Sequence, residues 1–191
     1  KDAQGRIRRN PQSPLVDLDT LPPLDFEIFE ENRIYRPMAG KVYRMIPIET
    51  HRGCPFTCTY CNSPSQVKMH KEHNVGKFFR KRSMERIREE LEFLTKRWKA
   101  EYVYFPADTF LAWTEDEFDA FIKMYEEFRL PFWMQTRPET ITEEVVDKLK
   151  SVNCHRVSMG IEHGNEKFRR DIIHRHISND EMIRRTNILG R

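Results

Sequence analysis

Three of the four cysteines in this 191-residue chain lie within one eight-residue segment. They are Cys54, Cys58 and Cys61. Three thiolates this close together can hold one side of a single inorganic group, and soft sulfur ligands favour zinc, copper(I) or an iron–sulfur cluster. In a [4Fe–4S] cluster each of the four iron corners usually takes one cysteine. Three cysteines would leave one iron open to a small molecule, and this open iron is our functional hypothesis.

The composition is that of a polar chain large enough to bury a core. Charged residues make up 33% of the sequence, above a norm of about 25%, and the mean hydropathy is −0.75. No run approaches the roughly 18 apolar residues that a membrane span needs, and the first residues contain no signal-peptide segment. Four cysteines are too few for a disulfide framework in a chain of this size, and their clustering is typical of metal binding. We therefore expect a cytoplasmic protein with reduced thiols and no membrane span.

Nucleic acid is not the expected partner. The formal net charge is +3, and acidic and basic residues are interspersed along most of the chain. One basic segment, residues 77–82, contains two phenylalanines and could contact phosphates and bases. The alternative is that this segment is a solvated approach to the helix that follows.

Four strand–helix units follow one another along the sequence. The predicted strands are residues 43–50, 102–106, 132–137 and 156–162, and the predicted helices begin near Ser83, Thr114, Thr142, Asn165 and Asp180. Strands that alternate with helices indicate parallel strands joined by right-handed crossovers. Residues 1–40 contain several prolines and no sustained periodicity. The predicted fold is α/β, a partial (β/α) barrel of parallel strands with an irregular N-terminal arm.

The predicted topology places polar residues beside the cysteines. Ligands of such folds lie at the carboxyl ends of the parallel strands, and the cysteine loop follows the first strand at that end. The polar residues that end the other strands should face it, namely Asp108, Gln135, Arg137 and Glu162. Carboxylates, an amide and a guanidinium around an open iron suit a zwitterionic ligand with a ribose.

Several of these residues also have a purely structural interpretation. Asp108 could cap the helix after the second strand, and Arg137 could pair with the nearby Glu139. Arg175 lies in a basic run that is typical of a solvated face. Glu162 is harder to explain in this way, because burying a carboxylate without partners is costly. We also assign Trp133 to the hydrophobic core.

A structural zinc site is the main alternative for the cysteines. Such a site needs a fourth ligand, and the remaining thiol, Cys154, precedes the fourth predicted strand at the opposite end of the sheet. A histidine such as His51, His70 or His73 could take its place. Cys154 itself is expected to be a buried, inert thiol.

The C-x3-C-x2-C arrangement resembles the signature of the radical S-adenosylmethionine superfamily. The segment Glu49–Cys61 is similar in particular to members that carry an N-terminal cobalamin-binding domain. Further segments agree, namely residues 17–22, 105–110, 135–138 and 160–166. The resemblance covers nearly the whole chain, and the cysteine signature is its most specific part.

This resemblance implies a [4Fe–4S] cluster held by the three cysteines, with S-adenosylmethionine chelated to the open iron. An electron from a donor such as flavodoxin or ferredoxin would split the sulfonium and yield a 5'-deoxyadenosyl radical. By position, Tyr60 would pack near the adenine, Asp108 would contact the methionine amino group, and Glu162 would contact the ribose. Arg137 and Arg175 are implied as contacts of the carboxylate.

The function implied is cobalamin-dependent methylation or rearrangement of a small molecule by a radical enzyme. An RNA-modifying, methylthiotransferase-like member of the superfamily and a non-enzymatic zinc-stabilised module are the alternatives. The sequence contains no D-x-H-x-x-G loop of a cobalamin domain and no fifth or sixth strand–helix unit. We therefore expect residues 1–40 to be a linker after a missing N-terminal domain, and residues 41–191 to be a C-terminally truncated core.

Overall fold

A computed structural model describes residues 3–7 and 10–190. The strands are β1 (Tyr35–Met38), β2 (Lys41–Pro47), β3 (His51–Arg52), β4 (Arg80–Lys81), β5 (Tyr102–Phe105), β6 (Phe132–Thr136) and β7 (Cys154–Met159). Five of them form one sheet in the order β1-β2-β5-β6-β7, and β3 pairs with β4 in a separate two-stranded sheet. In the five-stranded sheet, the pairs β2–β5, β5–β6 and β6–β7 are parallel, whereas β1 is antiparallel to β2. The sheet is a half-barrel with helical crossovers, as predicted.

The helices follow the strands along the chain. They are α1 (Ser63–Glu72), α2 (Met84–Trp98), α3 (Glu115–Tyr125), α4 (Glu143–Ser151), α5 (Glu166–Asp171) and α6 (Asn179–Leu189). Short 3-10 turns occupy Leu18–Thr20, Glu31–Ile34 and Pro138–Thr140. Ser83, Thr114, Thr142 and Asn165 are N-caps whose side chains accept a backbone hydrogen bond. All five predicted helix starts therefore lie within one residue of the observed starts.

The strand period separates a buried face from a cavity face. Val103 and Phe105 of β5 and Phe132 and Met134 of β6 are fully buried against the helices. Alternate residues of a strand point to opposite faces, so Gln135 belongs to the other face. The apolar core thus holds the sheet against the helices and leaves the second face for the site.

Several elements differ from the sequence prediction, and the short strands β3 and β4 were among those not predicted. The β1–β2 hairpin was not predicted, because β1 is an exposed edge strand with Pro37 in it. Helix α1 was not predicted, because its sequence is polar and only Ser63 and His70 are buried. Strand β7 begins at Cys154 and ends at Met159, so Glu162 lies beyond it rather than within it.

Among the residues that the structure describes, no helix combines the length and the apolar character needed to cross a membrane.

Candidate active site

One cavity of about 370 Å³ opens at the carboxyl ends of the parallel strands. Its lining includes the residues predicted from the sequence, namely Cys54, Cys58, Cys61, Tyr60, Asp108, Gln135, Arg137, Glu162 and Arg175. The topology that follows from alternating strands and helices explains this convergence, because each crossover returns the chain to the same edge of the sheet. The structure brings the predicted residues together, and their individual roles stay predictions.

The cysteine loop is fixed by close contacts at both ends. Gly53 begins it with a φ of +82°, and a Cβ at this position would lie 2.8 Å from the backbone oxygen of Phe78. Glycine is therefore required by the backbone conformation and by the space available. Farther along, the Thr59 amide donates to the Ile173 carbonyl at 3.2 Å, and the Cys61 amide closes a turn on Cys58 at 3.1 Å. The loop is thus held against the segment that follows α5.

Each of the three sulfurs has a polar neighbour. An Arg137 Nη1 hydrogen points at Cys58 Sγ at 3.2 Å, and the Ser63 amide points at Cys61 Sγ at 3.4 Å. Cys54 Sγ lies 3.5 Å from the Thr109 hydroxyl. Donors aimed at sulfur are the surroundings of a ligating thiolate.

The thiols fit a cluster with three protein ligands. All three are free cysteines, Cys58 is buried, and Cys54 and Cys61 are half-buried at the cavity wall. Within residues 3–7 and 10–190, no three histidine, cysteine or acidic side chains are grouped as the ligands of one metal ion. Three free thiols that line one cavity have the composition of the protein ligands of an iron–sulfur cluster.

Arg137 is enclosed by three different groups. Besides contacting Cys58, its guanidinium pairs with Glu139 Oε1 at 2.6 Å and lies 3.8 Å from the ring centre of Phe56. The ion pair with Glu139, which was the structural interpretation of Arg137, is present together with the contact to the cysteine loop. Phe56 had not been singled out from the sequence, although it lies within the cysteine motif.

Arg175 connects Glu139, the ion-pair partner of Arg137, to Glu162. Its guanidinium donates to Glu139 Oε2 at 3.0 Å, to Glu162 Oε1 at 2.9 Å and to the Gly160 carbonyl at 2.8 Å. Only 1% of the Arg175 side chain is exposed, so the interpretation of this residue as part of a solvated face is wrong. A basic run is typical of a surface in sequence, but the fold buries two arginines of this run, Arg169 and Arg175.

Glu139, the partner of both arginines, has a carboxyl group whose pKa is lowered. Burial alone would raise its pKa, but hydrogen bonds from Arg137 and Arg175 outweigh this effect and lower the pKa to about 2. The carboxylate is therefore ionised at neutral pH and holds the two guanidinium groups together. In the sequence, Glu139 is recognisable only as a partner of Arg137, because no local pattern relates it to its second contact, Arg175.

Tyr60 and Asp108 complete the cavity wall. Partial burial and a hydrogen bond with Glu162 raise the pKa of the Tyr60 hydroxyl. The Asp108 side chain is exposed, and Thr114 caps the following helix with a capping box to Glu117. The interpretation of Asp108 as a helix cap is therefore wrong.

Trp133 and His51 lie near the cavity in roles that differ from their sequence interpretations, which were the core and a possible zinc ligand. Trp133 is half-buried and donates to Ser158 Oγ, a cavity residue, at 2.8 Å, so its assignment to the core is wrong. His51, directly before the cysteine loop, is buried, and burial lowers its pKa to about 4. The neutral ring donates from Nε2 to the Thr109 carbonyl at 3.2 Å and accepts the Thr50 hydroxyl at 3.0 Å. His51 thus ties the loop to Thr109.

Cys154 is separate from the other thiols. It begins β7 opposite Phe132 and lines a different cavity with His155 and Arg156. Burial raises the pKa of its thiol to about 12, which suits an inert residue. A zinc site made of the three loop cysteines and Cys154 is therefore not formed by this fold.

Three of the four cations of the basic segment have partners inside the protein. Lys81 pairs with Glu117, Arg82 is buried against Glu90, and Arg80 donates to the Val16 carbonyl at 2.8 Å. These contacts account for three of its charges without nucleic acid.

Comparison with known proteins identifies the family. Residues 48–191 match the Radical SAM superfamily, so the chain belongs to this superfamily. An uncharacterized methyltransferase of Pyrococcus horikoshii is 28% identical over 169 residues, which are 86% of this chain and 34% of the relative. The chain thus spans about a third of the length of that relative. The family and this relative mark the chain as part of an enzyme.

Solved structures show the same fold. The radical S-adenosylmethionine methyltransferase TsrM from Kitasatospora setae, solved with tryptophan substrate and an S-adenosylmethionine analogue, superposes with a TM-score of 0.61 at 15% identity, covering 76% of this chain and 28% of that one. The cobalamin-dependent radical enzyme OxsB superposes with a TM-score of 0.57 at 16% identity, covering 75% of this chain and 22% of that one. At this identity the likeness concerns the fold, and it confirms the predicted partial barrel.

Proposed function

We propose that this chain is the core of a radical S-adenosylmethionine enzyme. The observation that carries the proposal is the single cavity in which three free thiols meet the carboxylates and guanidinium groups predicted to bind a zwitterionic nucleoside. A [4Fe–4S] cluster bound there would supply the one electron that splits S-adenosylmethionine.

The protein's own residues supply position and charge. Cys54, Cys58 and Cys61 would hold the cluster, and the fixed turn of the loop sets the spacing of their sulfurs. Glu162 and Asp108 offer carboxylates to the ribose hydroxyls and the amino group of the ligand, and Gln135 offers an amide from β6. Tyr60, at the rim, would cover the adenine.

The reaction proposed for the whole protein is cobalamin-dependent methylation or rearrangement of a small molecule. Supporting it are the methyltransferase relative and the fold shared with the methyltransferase TsrM and the cobalamin-dependent enzyme OxsB. Cobalamin would bind in a domain outside this chain, and the electron would come from a flavodoxin or a ferredoxin.

The test is anaerobic iron–sulfur reconstitution of the wild type and two matched variants. Cys58→Ala removes a cavity thiol, and Cys154→Ala removes the thiol of the other cavity. We expect a reduced-cluster EPR signal in the wild type and in Cys154→Ala, perturbed by S-adenosylmethionine, and its loss in Cys58→Ala.

Two outcomes would contradict the proposal. If the wild type binds zinc and forms no cluster, the enzymatic interpretation fails. If a cluster forms but its EPR signal does not change with S-adenosylmethionine, the cavity does not bind that cofactor.

A further inference from the structure

Three of the five N–H donors of the Arg137 guanidinium point at protein groups. Nη1 donates to Cys58 Sγ at 3.2 Å, Nη2 donates to Glu139 Oε1 at 2.6 Å, and Nε lies 3.4 Å from Glu139 Oε2. Its face rests on the Phe56 ring at 3.8 Å. Glu139 thus takes the parallel Nε and Nη2 donors of Arg137, so this pair of donors is not free for a ligand carboxylate.

The same contacts place a positive charge against a sulfur. Only 13% of the Arg137 side chain is exposed, so water and salt screen this charge weakly. Glu139, its counter-ion, lies in the following 3-10 turn, outside the set of residues that line the cavity. Arg175 shares that carboxylate with Arg137. The guanidinium is therefore a weakly screened positive charge in direct contact with a predicted cluster ligand.

We propose that Arg137 is a positioning residue that fixes Cys58 Sγ and raises the reduction potential of the bound cluster, rather than a contact of the S-adenosylmethionine carboxylate. This inference rests on the proposed function. One electron from the reductant changes the core from 2+ to 1+, so the core with three thiolates goes from a net charge of −1 to −2. A cation hydrogen-bonded to one thiolate stabilises the more negative state and favours reduction.

The experiment is a potentiometric EPR titration of reconstituted protein with dithionite, without S-adenosylmethionine. It compares the wild type with Arg137→Met, which keeps the length of the side chain but removes charge and donors, and with Arg137→Lys, which keeps the charge. The control, Arg184→Met, removes one charge from an exposed residue paired with Glu181.

We expect a more negative midpoint potential for Arg137→Met than for the wild type. At the wild-type midpoint, where half of the wild-type clusters are reduced, well under half of the Arg137→Met clusters would be reduced. Arg137→Lys should fall between the two, and Arg184→Met should match the wild type.

A midpoint unchanged in Arg137→Met would overturn the inference. If that variant also lost affinity for S-adenosylmethionine, Arg137 would instead be a carboxylate contact. Loss of the cluster in both Arg137 variants, with a native circular dichroism spectrum, would also overturn it by limiting Arg137 to cluster assembly. Absence of a cluster in the wild type would reject the proposed function and this inference together, so the two failures are distinguishable.

Discussion

Among single residues, Gly160 shows how tightly the end of β7 is packed. A Cβ at Gly160 would overlap Glu162 Oε1 and lie 3.2 Å from Arg175 Nη1. Glu162 itself has a φ of +64°, a conformation that costs a non-glycine residue free energy and persists only where neighbours hold it. Gly160 therefore leaves the room in which the Glu162–Arg175 ion pair forms.

Replacing Gly160 by alanine should weaken the binding of S-adenosylmethionine. The new methyl group displaces Glu162 and Arg175, and we expect the dissociation constant of the reconstituted protein to rise about tenfold, which is ~1.4 kcal/mol. Equilibrium dialysis measures it. Gly164→Ala is the matched control, because nothing lies within 4 Å of a Cβ there. Equal affinities for the two variants would reject a role of Glu162 and Arg175 in binding.

Sequence reasoning worked best for residues whose chemistry is local. The three cysteines are recognisable from spacing alone, and strand order was enough to place Gln135 beside them. Arg175 and Glu139 could be assigned correctly only with the fold, because their contacts join segments 36 residues apart. Charge in a sequence gives no indication of whether a side chain is buried or paired.

At the scale of elements, the short β3–β4 sheet and the cysteine loop depend on each other. Gly53 lies between β3 and the first cysteine, against the Phe78 carbonyl that precedes β4. The hairpin turn between β1 and β2 contains Gly40, which has a similar φ of +79° but nothing within 4 Å of a Cβ. The two glycines share a positive φ, which would be strained for any other residue, and differ in the space around them.

This difference predicts that alanine lowers the free energy of unfolding by unequal amounts at the two positions. Gly40→Ala should lower the free energy of unfolding by about 1 kcal/mol, because alanine resists a positive φ. Gly53→Ala should cost roughly 1–3 kcal/mol more, because the methyl group also overlaps Phe78. Urea unfolding of both variants measures the difference. Similar losses of unfolding free energy for the two variants would mean that the loop accommodates the extra methyl group without further destabilisation.

The elements that sequence reasoning missed share a physical cause. Helix α1 and strand β1 bury few apolar side chains, so neither has a hydrophobic period that could reveal it. The carboxyl end of β7 was predicted too far along the chain, because Gly160 and Glu162 continue an alternating pattern beyond the last strand residue, Met159. Where burial drives an element, as in β5 and β6, the prediction held to within a residue.

At the scale of the whole molecule, hydrogen bonds hold the N-terminal arm against the first turns of α2. The Ser83 amide donates to Asp19 Oδ1 at 2.9 Å, and the Leu24 amide donates to Glu90 Oε1 at 3.0 Å. Glu90 is fully buried and pairs with Arg82, which also lies 3.5 Å from Glu49. One buried carboxylate thus contacts the arm directly and, through Arg82, the Glu49 segment that precedes the cysteine loop.

Changing Glu90 to glutamine should destabilise the fold by about 3 kcal/mol, because Arg82 would be left buried with only Glu49 as a counter-ion. Urea unfolding measures the loss, and limited proteolysis should cut the arm near Leu24 faster. Glu89→Gln, an exposed residue of the same helix paired with Arg86, should change stability by less than about 0.5 kcal/mol. An equally small effect of Glu90→Gln would show that the arm and core do not depend on this pair.

The groups from Cys58 through Arg137, Glu139 and Arg175 to Glu162 form one connected series of contacts with alternating charge. Thermodynamic linkage makes such a connection reciprocal. If a ligand at the Glu162 end changes how readily the cysteine end accepts an electron, electron uptake changes the affinity for that ligand by the same factor. The enzyme would then bind its nucleoside cofactor with two affinities, one for each oxidation state, and could couple cofactor capture to the arrival of the electron.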